Sequence, residues 1–320
     1  MEIIDSKKAY DRFCNGNNTV PLFYQPEYLD AVCEPDQWKV LMCVDKEGTV
    51  YGIMPYHIRK KYGMTVILQP KLTPYSGPYL YFPRNIEKDE RINAFSKKVV
   101  NLLYDALPKH TIYRVNMHHQ IRDWQPLMWK GYRQTTKYTY IIDTKPEIST
   151  MLGNLRSEAR NQLKKAEQDL ILSETNDVSI LYDLCKETFT RQEKIISFSQ
   201  KLTTDIYNTL APKQQAKIFQ VKDDQGLLQA AMMFVNDQQY MYGLITGKRT
   251  KAHSGAVTML LWQGIMLAKF MNLHYDFEGS DLPHIEPLYR SFGGVQTPYF
   301  SIHHSGSRII DAILLLTNKL

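Results

Sequence analysis

Cysteine is scarce in this chain of 320 residues, with four in all: Cys14, Cys33, Cys43 and Cys185. No two form a Cys-x-x-Cys pair and no histidine stands at zinc-finger spacing from them. That excludes a zinc module and a disulfide scaffold, and predicts reduced, buried thiols in a cytoplasmic protein. Long apolar runs are missing too. No stretch approaches about 18 consecutive apolar residues, so no membrane-spanning helix is expected. The start, Met1-Glu2-Ile3-Ile4-Asp5, has no basic segment leading into an apolar core, and no secretory signal is expected. Glycine (16) and proline (15) are unexceptional, and 43 % of residues are hydrophobic against 22 % charged, which excludes a collagenous, disordered or low-complexity chain. The net charge of +6 lies mainly in the first half and is not gathered into a tail, so it is compatible with an anionic partner without demanding one.

What the chain does have is a repeat. Trp38–Gly48 aligns without gaps on Ala216–Gly226, and the match continues from Val50–Met54 onto Leu228–Met232. Each copy reads as a strand, an Asp/Gly turn and a second strand, a β-hairpin. A second match, Lys130–Thr135 on Phe292–Thr297, falls in the same order, the first copy carrying extra residues around Lys61 to Pro83. Two matches in one order imply a duplicated α+β domain, divided as 1–145 and 146–320.

In the second copy the apolar periodicity predicts helices over 179–193 and 204–210, then strands over 217–222, 227–235 and 239–244. A long helix follows over 254–271, a strand over 274–278, a short helix after Pro283 ending at Gly293-Gly294, and a last strand over 296–303. The first copy has helices over 27–32 and 91–107 and strands over 113–117 and 138–142. After a linker at Asp143–Pro146, one helix over 149–168 would carry Arg156, Arg160 and Lys164 on one face, either a solvated face or a cationic stripe for a phosphate or carboxylate.

Several residues have the chemistry of a site. Asp276 and Glu278 alternate on a strand and so share a face, where either serves as a general base, Asp276 first, or anchors a neighbouring backbone. His253, beside a helix start, is a phosphate ligand, a base or a cap. The loop Gln69–Pro78, with three prolines and a glycine, belongs to the extra segment of the first copy and either lines a cleft, with Tyr75 and Tyr79 touching an acceptor, or is a plain surface loop. The pairs His118-His119 and His303-His304 would point to opposite faces of strands, and no metal is expected. The apolar run Ile309–Leu316 is short and suits packing on the domain or a partner subunit.

The element order resembles that of the GNAT acyltransferases, and two motifs carry the likeness. Lys251-Ala-His-Ser-Gly-Ala256 looks like the family's phosphate-binding helix start, with Ser254 where the first glycine usually stands. That likeness implies Lys251, His253, Ser254, Gly255 and Ala256 as contacts for an acyl-CoA pyrophosphate. Tyr289-Arg-Ser-Phe-Gly293 resembles the ending whose tyrosine serves as general acid. The strand near Tyr242–Leu244 would supply backbone N–H groups to an oxyanion. The first copy has Leu127 in place of Tyr289 and acidic residues at 87–90 where a phosphate loop would be, so the donor side falls to the second copy. Over residues 20–305 the chain resembles the Fem aminoacyltransferases of peptidoglycan bridges, through Phe23–Leu29, Asn154–Ala166 and Tyr275–Ser280. At the family's Phe-Lys-x-x-Phe it has Leu288-Tyr-Arg-Ser-Phe292, which puts Tyr289 at the lysine position with Arg290 beside it. The resemblance implies two tandem GNAT-like domains of mixed sheets flanked by helices. It implies transfer of an acyl or aminoacyl group, from acyl-CoA or aminoacyl-tRNA, to a small-molecule or peptide amine. An acetyl-CoA-dependent N-acetyltransferase and a non-catalytic binding module remain open beside it, and the likeness says nothing of oligomeric state.

Overall fold

The computed structural model describes residues 1–61, 63–279, 282–283 and 285–306, and the expectation for Ile309–Leu316 lies outside them. Among the described residues the chain forms two compact units, one of residues 1–18, 23–137 and 298–306, the other of residues 19–22 and 138–297. Unit 1 contains β1 (Glu2–Ile4), α1 (Lys7–Asn15), α2 (Pro26–Val32), β2 (Trp38–Val44), β3 (Val50–Lys61), β4 (Met64–Leu68), β5 (Tyr79–Leu80), α3 (Asp89–Asp105), β6 (Ile112–Asn116) and α4 (Gln125–Trp129). Its strands run in the order β1-β2-β3-β4-β6, with β5 beside β3, and only β4–β6 of these pairs is parallel. Residues Phe95, Val99, Val100 and Leu103 recur on one face of α3 and bury against Leu41, Met54 and Tyr113 of the sheet.

The second unit has the end of β7 (Arg133–Ile142) from Tyr138 on, α5 (Ile148–Asn154), α6 (Ser157–Asp169), β8 (Leu170–Thr175), α7 (Val178–Arg191), α8 (Gln200–Leu210), β9 (Ala216–Asp223), β10 (Leu228–Asn236), β11 (Tyr240–Lys248), α9 (Ala256–Phe270), β12 (His274–Asp276) and α10 (Glu286–Arg290). Its order is β7-β12-β11-β10-β9-β8, with β11–β12 the parallel pair. The last strand, β13 (Val295–Ser305), pairs through Ser301–Ser305 with β6. Helix ends carry their own signals. Ser6, Asp177 and Ser199 cap α1, α7 and α8, each accepting an N–H of the first turn. The fold is α+β, with mixed sheets flanked by helices.

The duplication is visible bond by bond. Asp45 Oδ1 accepts the N–H groups of Glu47 (3.0 Å) and Thr49 (2.8 Å), and Asp223 Oδ1 those of Gln225 (3.1 Å) and Leu227 (2.8 Å). The second oxygen takes Tyr51 Oη in one copy and Gln229 Nε2 in the other, at aligned positions. Gly48 and Gly226 close the turns at φ +83° and +80°, where a Cβ would be strained. The second match repeats a proline-started short helix, α4 or α10, followed by a glycine at positive φ, Gly131 or Gly293.

Two expectations are corrected. The single helix over 149–168 is two helices, because Leu155 and Arg156 are extended and the Arg156 N–H goes to the Ser291 carbonyl (2.8 Å) instead of back along the helix. The strand expected over 274–278 ends at Asp276, since Glu278 turns left-handed at φ +60°.

α9 is apolar on nearly all sides, as a helix wedged between a sheet and α6 must be. Its Gly264 faces the sheet, where a Cβ would stand 2.3 Å from Phe234 Cε1 and 2.7 Å from Tyr275 Cε2. Alanine is the better helix former by about 1 kcal/mol. Overpacking against rings costs about 1–3 kcal/mol and wins here, because both rings are buried and hemmed in. Gly264→Ala is expected to lower the urea midpoint with an unchanged slope, and a midpoint at or above wild type would show that the rings can move aside.

Candidate functional site

The site candidates of the second unit gather where two strands part. β11 and β12 pair in parallel from Tyr240–His274 to Tyr242–Asp276. Against β10 the register of β11 jumps, Met233 facing Ile245 but Val235 facing Tyr242, so Gly243 and Leu244 together oppose Phe234. This β-bulge turns the strand at the point where its parallel pairing ends.

Asp276 and Glu278 lie at that point. Asp276 is fully buried, and its Oδ1 accepts the Thr139 hydroxyl (2.5 Å) from β7 and the Glu278 N–H (2.8 Å). The second bond ties the Asp276 carboxylate to the backbone of Glu278, where the chain turns left-handed after the strand has ended. Glu278 as a residue is half-buried, but its Oε1 is buried and without a hydrogen-bond partner. Burial, and then the Asp276 charge, push its carboxyl well above the usual range. Tyr289 on α10 lies across the Phe277 ring, centroids 4.7 Å apart, and its phenol is pushed up to about 12 by burial and then by Glu278. Tyr275 stands edge-on to Phe277 at 4.9 Å, and its hydroxyl too is buried without a hydrogen-bond partner. Asp276, Glu278 and Tyr289 are thus brought together. Thr139 and Tyr275 join them. The sequence signal for Tyr275 is that it opens the Fem-like stretch Tyr275–Ser280, beside Asp276, whereas Thr139 carries none beyond its place on an expected strand.

The helix start at α9 is organised differently from a phosphate loop. The Gly255 N–H donates to His253 Nδ1 (3.2 Å) and the Ala256 N–H to the His253 carbonyl (3.0 Å). His253 is itself held by Gln229 through its N–H (2.9 Å) and pairs with Asp169 at the end of α6 (3.3 Å). A Cβ on Gly255 would meet the Gln162 carbonyl oxygen at 2.5 Å, so α6 lies against the helix start. Lys251 is exposed at φ +62°. The N–H groups that would bind a pyrophosphate at Gly255 and Ala256 are engaged by the loop, and these residues do not fit that group in this arrangement.

The whole chain is similar in fold to solved structures. FemX matches over 94 % of this chain and 97 % of its own, at 12 % identity and a TM-score of 0.66. L-PGS from Bacillus licheniformis matches over 100 % and 98 %, at 13 % identity and a TM-score of 0.56. The C-terminal domain of a putative lysylphosphatidylglycerol synthetase from Agrobacterium fabrum matches over 91 % and 89 %, at 10 % identity and a TM-score of 0.53. The chain therefore shares the fold of FemX. No family model matches the chain, and no curated protein matches it.

Within this Fem-like fold several expected contacts are placed elsewhere. Tyr75 and Tyr79 do not face solvent. They are buried in an aromatic cluster of unit 1, Tyr75 edge-on to Phe23, His118 and Tyr299 and Tyr79 against Tyr24, Tyr81 and His118. Their apolar rings outweigh the loop's polar character. His118 and His119 follow β6 instead of lying on it, and their rings lie side by side, centroids 4.1 Å apart and tilted by 33°, rather than facing opposite ways. Tyr242 is buried and donates to Asp237 Oδ2 (3.3 Å). Arg160 donates to the Leu155 (2.9 Å) and Gly153 (3.4 Å) carbonyls at the end of α5, a helix-capping role. Arg156 is exposed at the start of α6, and exposed Arg290 pairs with Glu286 (3.0 Å). Among the described residues no cluster of three or more His, Cys, Asp or Glu stands at metal-binding distance, and no helix is long and apolar enough to cross a membrane.

Proposed function

We propose that this protein transfers an acyl or aminoacyl group to an amine acceptor, with the chemistry in the second unit. The observation that carries the reading is Glu278 Oε1, buried and without a hydrogen-bond partner, within electrostatic reach of Tyr289. A carboxyl whose pKa is raised is a stronger base than an ordinary carboxylate and takes up protons more effectively. In the proposed step the amine nitrogen attacks the donor carbonyl and the N–C bond forms. Glu278 takes the proton the nitrogen sheds, the carbonyl-to-leaving-group bond breaks, and Tyr289 protonates the departing oxygen or sulfur. Proton return from Glu278 to Tyr289 resets the pair. Asp276, tied to Thr139 and to the Glu278 N–H, is a positioning residue.

The engaged N–H groups at Gly255 and Ala256 favour an ester donor, such as aminoacyl-tRNA, over a CoA thioester. The FemX likeness is consistent with this and adds no chemistry of its own. Thermal unfolding is expected to show no CoA-specific shift with millimolar acetyl-CoA or CoA, judged against ADP. A ligand at 100 times its Kd adds about 2.7 kcal/mol, a shift of several degrees. Bulk tRNA charged with labelled amino acids, given a lysyl peptide, is expected to pass label to the peptide. A clear CoA-specific shift, or label that stays on tRNA while acetyl-CoA acetylates the peptide, would reverse the donor assignment. Transfer from neither donor would overturn the reading as a whole.

A further inference from the structure

Tyr275 is fully buried, yet its hydroxyl has no hydrogen-bond partner, an arrangement that native interiors rarely leave without a purpose. The ring cannot turn aside. It is held between Gly264 of α9, whose Cβ would fall 2.7 Å from Cε2, and Phe277, edge-on at 4.9 Å. Its oxygen points at the bulge of β11. A Cβ on Gly243 would stand 2.7 Å from Tyr275 Oη, so the hydroxyl touches bare backbone where β11 leaves β12. Glu278, with its own unpaired Oε1, and Tyr289 lie within electrostatic reach of the same ring. Burial keeps this phenol protonated, so it remains a hydrogen-bond donor at any working pH.

We propose that the Tyr275 hydroxyl donates a hydrogen bond to the carbonyl oxygen of the acyl donor, as the side-chain half of an oxyanion hole built with the β11 bulge. The assignment rests on the transfer reading above. As the amine attacks, the carbonyl π pair moves onto oxygen, and Tyr275 stabilises that charge without giving up its proton. When the intermediate collapses the pair returns and the bond to the leaving group breaks. Tyr275 and Tyr289 therefore differ in role, since one holds its proton throughout and the other passes it on.

Tyr275→Phe removes the oxygen alone and keeps the ring. The expected result is a kcat about 10²- to 10³-fold lower, with the KM for the lysyl peptide changed less than about threefold. The unfolding midpoint of the free protein should be equal or higher, because no partner is lost. Wild type, Glu278→Gln and Tyr275→Phe are compared in one assay with charged bulk tRNA and, in a parallel arm, acetyl-CoA. Slow Glu278→Gln with full-rate Tyr275→Phe would overturn the Tyr275 assignment and leave the transfer reading standing. No transfer by wild type, or equal rates in all three, would overturn the transfer reading and this assignment with it. A lowered midpoint in Tyr275→Phe would show that the hydroxyl serves a structural partner such as a buried water, and would overturn the assignment on its own.

Discussion

Replacing Glu278 by glutamine is expected to slow transfer about 10²- to 10⁴-fold, the usual worth of a positioned acid–base group. Glutamine has the same shape and makes no charge. Because Glu278 Oε1 has no hydrogen-bond partner, the swap breaks no side-chain bond at that oxygen, so binding of either substrate should be little changed. The wild-type rate should rise with pH through the raised Glu278 pKa, as the carboxylate that takes the amine proton is populated. The variant should lack that limb. A variant that keeps both wild-type rate and pH limb would remove Glu278 from the reaction.

The same substitution has a stability signature of opposite sign. Burial and the Asp276 charge raise the Glu278 pKa above its ordinary 4.5 in the folded protein, so the folded state holds a proton that the unfolded state has released. Between 4.5 and the raised value the unfolding free energy therefore falls as pH rises, by about 1.4 kcal/mol for each pH unit crossed. Glutamine removes that loss. The midpoints of wild type and Glu278→Gln should lie close together at about pH 4, with the variant gaining as pH rises above it. A gap that does not change with pH would mean that Glu278 titrates as an ordinary carboxylate. Rate lost and stability gained in one variant is the pattern of a group kept strained for its chemistry.

How much of this was legible in the sequence depends on how far apart the interacting residues lie. The two hairpins were readable because their determinants are local. Asp45 and Asp223 each bind N–H groups two and four residues on, and Gly48 and Gly226 sit where positive φ is needed. The break at Leu155–Arg156 was not readable, because its cause is the distant Ser291 carbonyl. The acidic pair was found for an incomplete reason. Strand alternation picks out Asp276 and Glu278, but the strand ends at Asp276, and Glu278 follows in a left-handed turn whose N–H the Asp276 carboxylate accepts. At α9 the helix start was legible from Gly255. That His253 would turn back and occupy its N–H groups depends on Gln229 and Asp169, which lie on other elements. Tyr75 and Tyr79 were misjudged because proline and glycine mark a loop without saying which of its rings are buried.

The largest loss of stability is expected at Asp237, a residue the sequence does not single out. It is 4 % exposed and accepts four hydrogen bonds. Oδ1 takes the N–H groups of Gln239 and Tyr240 (2.8 Å each), which shape the turn from β10 to β11. Oδ2 takes the Tyr242 hydroxyl (3.3 Å) and the Leu22 N–H (3.0 Å), fastening the Thr19–Leu22 segment to the unit it belongs to. Burial raises its pKa although all four bonds pull the other way. Asp237→Ala leaves those donors without this acceptor, at about 1–3 kcal/mol for each one that finds no water. Allowing that some of them do, the expected loss is about 4 kcal/mol by urea unfolding. Asp237→Asn keeps one oxygen and turns an amide toward the other donors, so it should fall about midway. Amide exchange at Leu22 and Tyr240 should quicken in both variants. A loss below about 1 kcal/mol in Asp237→Ala would mean that the turn holds without its acceptor. A loss of the expected size has a further consequence, because Tyr240–Tyr242 is the stretch of β11 that pairs with β12 up to Asp276. Loosening the Asp237 turn should then disturb the acidic pair, and transfer should weaken at temperatures where the protein is still folded.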